Sequence, residues 1–88
     1  MLIPVYLHSF EKELAKAKKR GLDLTLIKDV MEELIEERPL DPKHRNHRLK
    51  GNFVGYWECH ITPDWLLIYK KDKTYIYFTR TGTHSDLF

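Results

Sequence analysis

Three imidazoles, a carboxylate and a guanidinium stand where the strands of a small sheet should end. His47, His60, Asp64, Arg80 and His84 fall at predicted strand termini or in the adjoining loops, so one sheet of short strands can gather them in one cleft. A lone histidine is more often structural or solvent-exposed than catalytic, and His8 and His44 are read that way here. The set together suits metal-free scission of an RNA strand. That reaction removes a proton from the ribose 2′-hydroxyl, attacks the adjacent phosphorus and returns a proton to the departing 5′-oxygen. Imidazole serves both transfers because its ordinary pKa, about 6.5, lies near neutrality. Arg80 and Lys50 offer fixed positive charge for a phosphate whose negative charge grows in the transition state. Trp65, Tyr56 and Phe88 offer flat faces on which an unpaired base could stack. Only RNA carries the attacking hydroxyl, so DNA would be inert.

Other chemistries find less support. The glycines stand apart at 21, 51, 55 and 82, so no Gly-rich loop suits a nucleotide phosphate, and no G-x-S-x-G turn is present. Cys59 is the one cysteine, which excludes an intrachain disulfide framework; its place on an apolar strand face reads as core. Three histidines and an aspartate could in principle hold Zn²⁺, yet no H-x-H or H-E-x-x-H spacing is present, and no metal or cofactor is assigned. A non-catalytic RNA- or ribosome-binding module would use the same basic and aromatic residues without cutting.

The elements that position these side chains follow from periodicity. Leu2–Leu7 reads as an edge strand, because Pro4 lacks the N–H that a second neighbour would need. Ser9 is expected to cap a helix over Phe10–Arg20, which Gly21 closes. Asp23 caps a second helix, whose Leu26, Ile27, Val30, Met31, Leu34 and Ile35 form a core-facing stripe. The 39–51 stretch, PLDPKHRNHRLKG, is a basic loop with room for a short strand around His47–Lys50. Phe53–Ile61 alternates, with Trp57, Cys59 and Ile61 on one face and Tyr56, Glu58 and His60 on the other. Thr62-Pro63-Asp64 turns into Trp65–Lys70, apolar enough to be buried on both faces, and Tyr75–Arg80 returns. The predicted fold is α+β: one domain over 1–88 in the order β-α-α-β-β-β, a helical hairpin on a twisted, mainly antiparallel four-stranded sheet.

Composition agrees with one small globule. Of 88 residues, 42% are hydrophobic and 32% charged, with a net charge of +2, so no single-sign field dominates. The halves differ. Residues 1–42 hold seven Lys/Arg against nine Asp/Glu, and residues 43–88 hold eight against four. Nine of eleven aromatics and four of five histidines also lie in the second half, as an RNA-facing surface requires. The apolar runs are too short to cross a bilayer and MLIPVYLHSF is unlike a signal peptide, so a cytoplasmic protein with no membrane partner is expected.

The run HRNHRLKGNFVGYWECHITPDWLLIYK, with FTRTGTHSDLF after it, resembles the YafQ-type branch of the RelE toxin superfamily. The shared pattern is an H-x-L-x-G segment, an H-x-x-P-D-W-x-L-I-Y strand pair and a closing R-x-G-[TS]-H-x-x-L-F. The resemblance implies the RelE-like fold and the toxin of a type II toxin-antitoxin system, an mRNA interferase. Such an endoribonuclease cleaves mRNA in the ribosomal A site and stops translation. It implies an acid–base set of His47, His60, Asp64 and His84 without settling which histidine is acid and which is base; we read His84 as the acid and the other three as the base side. Arg80 would contact the scissile phosphate, and Trp65 and Phe88 would help place substrate. It further implies a cognate antitoxin, for which the basic half is a landing site, and contact with operator DNA only through that complex. Members often carry a basic residue where this chain has Trp57.

Overall fold

The computed structural model describes residues 1–88. Its first strand, β1 (Ile3–Tyr6), pairs on one side only, as Pro4 requires, and runs parallel to the last strand with Ile3 opposite Tyr75 and Tyr6 opposite Phe78. Helix α1 (His8–Lys19) starts two residues earlier than predicted. The hydroxyl of Ser9 does not cap it; Ser9 Oγ donates to the Thr79 carbonyl at 2.8 Å instead. Helix α2 (Leu24–Ile35) begins where expected, with the Asp23 carboxylate accepting from the Thr25 N–H at 3.0 Å. Leu26 departs from the expected stripe: it is 42% exposed, whereas Ile27, Val30, Met31 and Leu34 are buried.

The sheet has five strands, where four were expected. A 3₁₀ turn at Pro42–His44 leads into β2 (His47–Arg48), whose two residues pair antiparallel with β3 (Trp57–Thr62), His47 opposite Glu58 and Arg48 opposite Trp57. This is the short strand for which the basic loop had room around His47–Lys50; two residues are too few to declare it by alternation, so the predicted order did not count it. Strands β4 (Trp65–Lys71) and β5 (Tyr75–Gly82) complete the order β1-β5-β4-β3-β2, antiparallel but for the β1–β5 pair. After Gly82 the chain makes one more helical turn, α3 (His84–Leu87), which the predicted β-α-α-β-β-β order lacks. Its signal was present: Thr83 Oγ1 accepts from the Asp86 N–H while Asp86 Oδ2 accepts from the Thr83 N–H, the reciprocal cap that a T-x-x-D spacing allows.

Both long helices cover one face of the sheet, where Phe10, Ala17, Ile27, Val30 and Leu34 meet Cys59, Leu67, Tyr69, Ile76 and Phe78. Strand β4 lies in the middle, and Trp65–Tyr69 is buried throughout. Each such aliphatic side chain, fully removed from water, contributes about 1.5–3 kcal/mol. The opposite face carries only Leu66, Ile68 and Leu87 as a small apolar patch, so polar groups on that face stand open to solvent. That is the face on which the candidate site is built.

Candidate active site

Cross-strand register explains why the site assembles. Glu58 and His60 lie two apart on β3 and so project to the same face, opposite Cys59, which is fully buried among the helices. Pairing of β2 with β3 sets His47 directly against Glu58. Glu58 is 5% exposed, and its Oε1 lies 3.5 Å from Nε2 of His47 and 3.5 Å from Nε2 of His60. One carboxylate thus sits between two imidazoles whose ring centres are 6.4 Å apart. His84 continues the line, its ring 5.7 Å from that of His60.

Each ring is also held from behind. His47 Nδ1 is 2.6 Å from the Arg45 carbonyl and His60 Nδ1 is 3.4 Å from the Pro63 carbonyl. His84 is fixed by Asp64, whose Oδ1 accepts from the His84 N–H at 3.1 Å and from its Nδ1 at 2.7 Å. This pairing holds the Asp64 carboxyl below its ordinary range, chiefly through the bond from the imidazole. Asp64 was expected to work with His47 and His60; it stands instead on the His84 side, because the β3–β4 turn points it toward the start of α3. His44, read as structural, is so in part: its Nδ1 lies 2.6 Å from the His60 carbonyl, and it lines the cleft as well.

The cleft, about 640 Å³, is lined by Lys43, His44, Arg45, His60, Pro63 and His84 among others. Its positive charge therefore comes from Lys43 and Arg45, which the sequence reading did not single out. Lys50 is exposed in the loop after β2 and does not line this cleft. Arg80 lies in the cross-strand row of Glu58 and Ile68, two strands from Glu58. It touches no imidazole, and Glu13 on α1 accepts from its Nε at 2.8 Å and from Nη2 at 2.9 Å. Trp65 does not offer a face to a base: it is 3% exposed, and its Nε1 donates to Thr81 Oγ1 at 3.0 Å. Phe88 is 62% exposed and packs edge-on against Phe53, with ring centres 5.5 Å apart, next to Tyr56. Glu58 is the residue that sequence reasoning passed over, although the two-residue period had already set it on the face of His60.

A family model described as the bacterial toxin of type II toxin-antitoxin system, YafQ, matches residues 3–88. The chain belongs to that family. Among its relatives is the mRNA interferase toxin YafQ of Escherichia coli strain K12, 39% identical over 84 residues, which cover 94% of this chain and 91% of that one. The E. coli YafQ chain in its complex with DinJ superposes with a TM-score of 0.93 at 37% identity, covering 100% of this chain and 99% of that one. A metal-bound toxin from Helicobacter pylori superposes with a TM-score of 0.94 at 40% identity, each chain covered in full. The RelE-like α+β fold expected of a YafQ-type chain is the fold found. In this YafQ family member no group of three or more His, Cys, Asp and Glu side chains stands in ion-holding geometry. The departure at Trp57 lies on the helix-covered face, where its ring stacks on Tyr69 at 6.4 Å and carries Arg48 and Lys71 above it at 5.1 and 5.8 Å.

Proposed function

We propose that this toxin-family chain is an endoribonuclease that cleaves mRNA in the ribosomal A site by metal-free acid–base catalysis and so arrests translation. The observation that supports the reading best is the unbroken line His47, Glu58, His60, His84, Asp64, drawn from four separate stretches of chain. Two kinds of imidazole are present in it. His84 turns Nδ1 to Asp64, which leaves Nε2 for a substrate; a carboxylate behind an imidazole fixes its tautomer and orientation. That suits the general acid that protonates the departing 5′-oxygen. His47 and His60 share the Glu58 carboxylate through Nε2, and on this side that carboxylate is the group that receives the proton leaving the 2′-hydroxyl. The 2′-oxygen then bonds to phosphorus as the P–O5′ bond breaks, giving a 2′,3′-cyclic phosphate and a 5′-hydroxyl. Lys43 and Arg45 in the cleft, with Arg80 and Lys50 farther off, offset the phosphate charge. Exposed Phe88 and half-buried Tyr56 are the faces for base stacking, and buried Trp65 serves as a strut.

The partners follow the same reading: the ribosome with its mRNA, and an antitoxin that covers the basic half, as DinJ binds E. coli YafQ. Operator DNA would be met only through that complex. No helix here is long and apolar enough to cross a membrane, and translation places the reaction in the cytoplasm. The deciding experiment is incubation of the chain with ribosomes stalled on a defined mRNA. Fragments ending in 2′,3′-cyclic phosphate, lost when the cleaved nucleotide is 2′-deoxy and lost with folded His84→Ala, are the expected result. Stable binding with intact mRNA would replace the enzyme by a binding module.

A further inference from the structure

One face of α1 takes no part in the core. Ser9, Glu13, Lys16 and Arg20 lie within about 60° of one another at 100° per residue, beside the buried Phe10 and Ala17. All four reach the same stretch, residues 79–86, which holds both Arg80 and His84. Ser9 Oγ donates to the Thr79 carbonyl at 2.8 Å. Glu13 accepts from Arg80 Nε and Nη2, at 2.8 and 2.9 Å, and from the Thr81 N–H at 3.3 Å. Arg20 donates to both Asp86 oxygens, at 2.8 and 3.3 Å, and Lys16 Nζ stands 3.8 Å from the same carboxylate. Asp86 meanwhile closes the cap of α3, the turn that begins with His84.

We propose that this polar seam of α1 is a positioning device, holding residues 79–86 so that His84 meets Asp64 and Arg80 presents its free edge to the substrate phosphate. The proposal rests on the catalytic reading of His84 given above. A helix of one turn cannot hold itself in place by its own hydrogen bonds. Leu87 anchors the far end of α3 in the small apolar patch, Asp64 takes the near end, and Arg20 with Lys16 fixes the flank. Exposed ion pairs add little to overall stability, so a grip of this kind matters for placement more than for folding. Glu13 acts on Arg80 in the same sense. It occupies the Nε–Nη2 edge of a planar fork and leaves Nη1 with the outer N–H of Nη2 for a second anion. Fixing the guanidinium therefore does not consume it.

The experiment compares the full chain with Arg20→Met, Lys16→Met/Arg20→Met and Arg20→Lys in the ribosome-programmed cleavage assay. Misplacement of a catalytic group lowers turnover steeply. The double variant is expected to lose about tenfold in kcat with KM little changed, while the melting temperature moves by only about 2 °C, and Arg20→Lys is expected to recover most of the loss. Amide exchange supplies a direct readout: the His84 N–H should exchange faster in the double variant, with the Leu67 N–H unaffected. Wild-type kcat in the double variant, or unaltered His84 exchange, overturns the positioning role and leaves the catalytic reading standing. Absence of cleavage by the wild-type chain, or full cleavage by His84→Ala, overturns the catalytic reading and this proposal with it.

Discussion

Glu58 and Cys59 are neighbours on one strand and face opposite worlds. A carboxylate that is only 5% exposed is costly unless its charge is met, and what meets it here are two imidazole nitrogens at 3.5 Å. Glu58→Gln keeps the shape and removes the charge. It is expected to leave a folded protein that cleaves at least about tenfold more slowly, since neither His47 nor His60 then has an anion to orient it. Wild-type cleavage rates in a folded Glu58→Gln chain would assign Glu58 to structure alone. Cys59 shows the other outcome of burial. Removal from water, with the adjacent Glu58 charge adding to it, pushes its thiol up to about 12, so the thiolate is scarce at any ordinary pH. Iodoacetamide at mild alkaline pH should leave the native chain unmodified and label it fully in denaturant; rapid labelling of the native form would refute the buried placement. Alternation had put both side chains on their correct faces. What it could not supply was the partner, because the pairing of His47 with Glu58 depends on a two-residue strand with no period of its own.

At the level of elements, the legible parts were those whose pattern repeats. Ile27, Val30, Met31 and Leu34 recur at helical spacing, and Trp65–Tyr69 is apolar without interruption; both segments formed as read. The parts that escaped are held by single polar contacts across the fold. Ser9 looked like a cap and instead ties α1 to β5, and Trp65 looked like a stacking platform and instead spans to Thr81 beneath the site. Trp65→Phe keeps a ring but deletes the bond from Nε1, and it should destabilise the chain by about 1–2 kcal/mol in urea unfolding. An unaltered midpoint would show that the bond contributes nothing. Gly82 joins β5 to α3 under a tighter constraint: a Cβ placed there would stand 2.9 Å from Asp86 Cβ, closer than side chains ever pack. Gly82→Ala must push α3 outward. With His84 as the proposed acid, cleavage should then fall by a larger factor than thermal stability would suggest, and an active Gly82→Ala chain would mean the turn has slack that the structure does not show.

The whole molecule is tied at its turns and caps by aspartates, which sets how it responds to acid. Asp23 caps α2, Asp72 closes the β4–β5 hairpin on the Thr74 and Tyr75 N–H groups, Asp64 holds His84, and Asp86 joins α3 to α1. Each is held below its ordinary value of 3.8: Asp23 by Thr25, Asp72 by the two backbone N–H groups, Asp64 by His84 and Asp86 by Arg20. A carboxylate depressed in the folded state binds its proton more readily when unfolded. Its contribution is therefore present in full above the ordinary carboxylate value and disappears as pH falls through the depressed one. None of these shifts predicts a loss between pH 7 and about pH 5, and together they place the acid limb of stability below about pH 4. Thermal melts from neutral pH to pH 2 should show that shape, and Asp72→Asn with Asp86→Asn should flatten the acid limb while lowering the plateau. A melting temperature that falls mainly between pH 7 and pH 5 would overturn the assignment of the acid response to these aspartate ties.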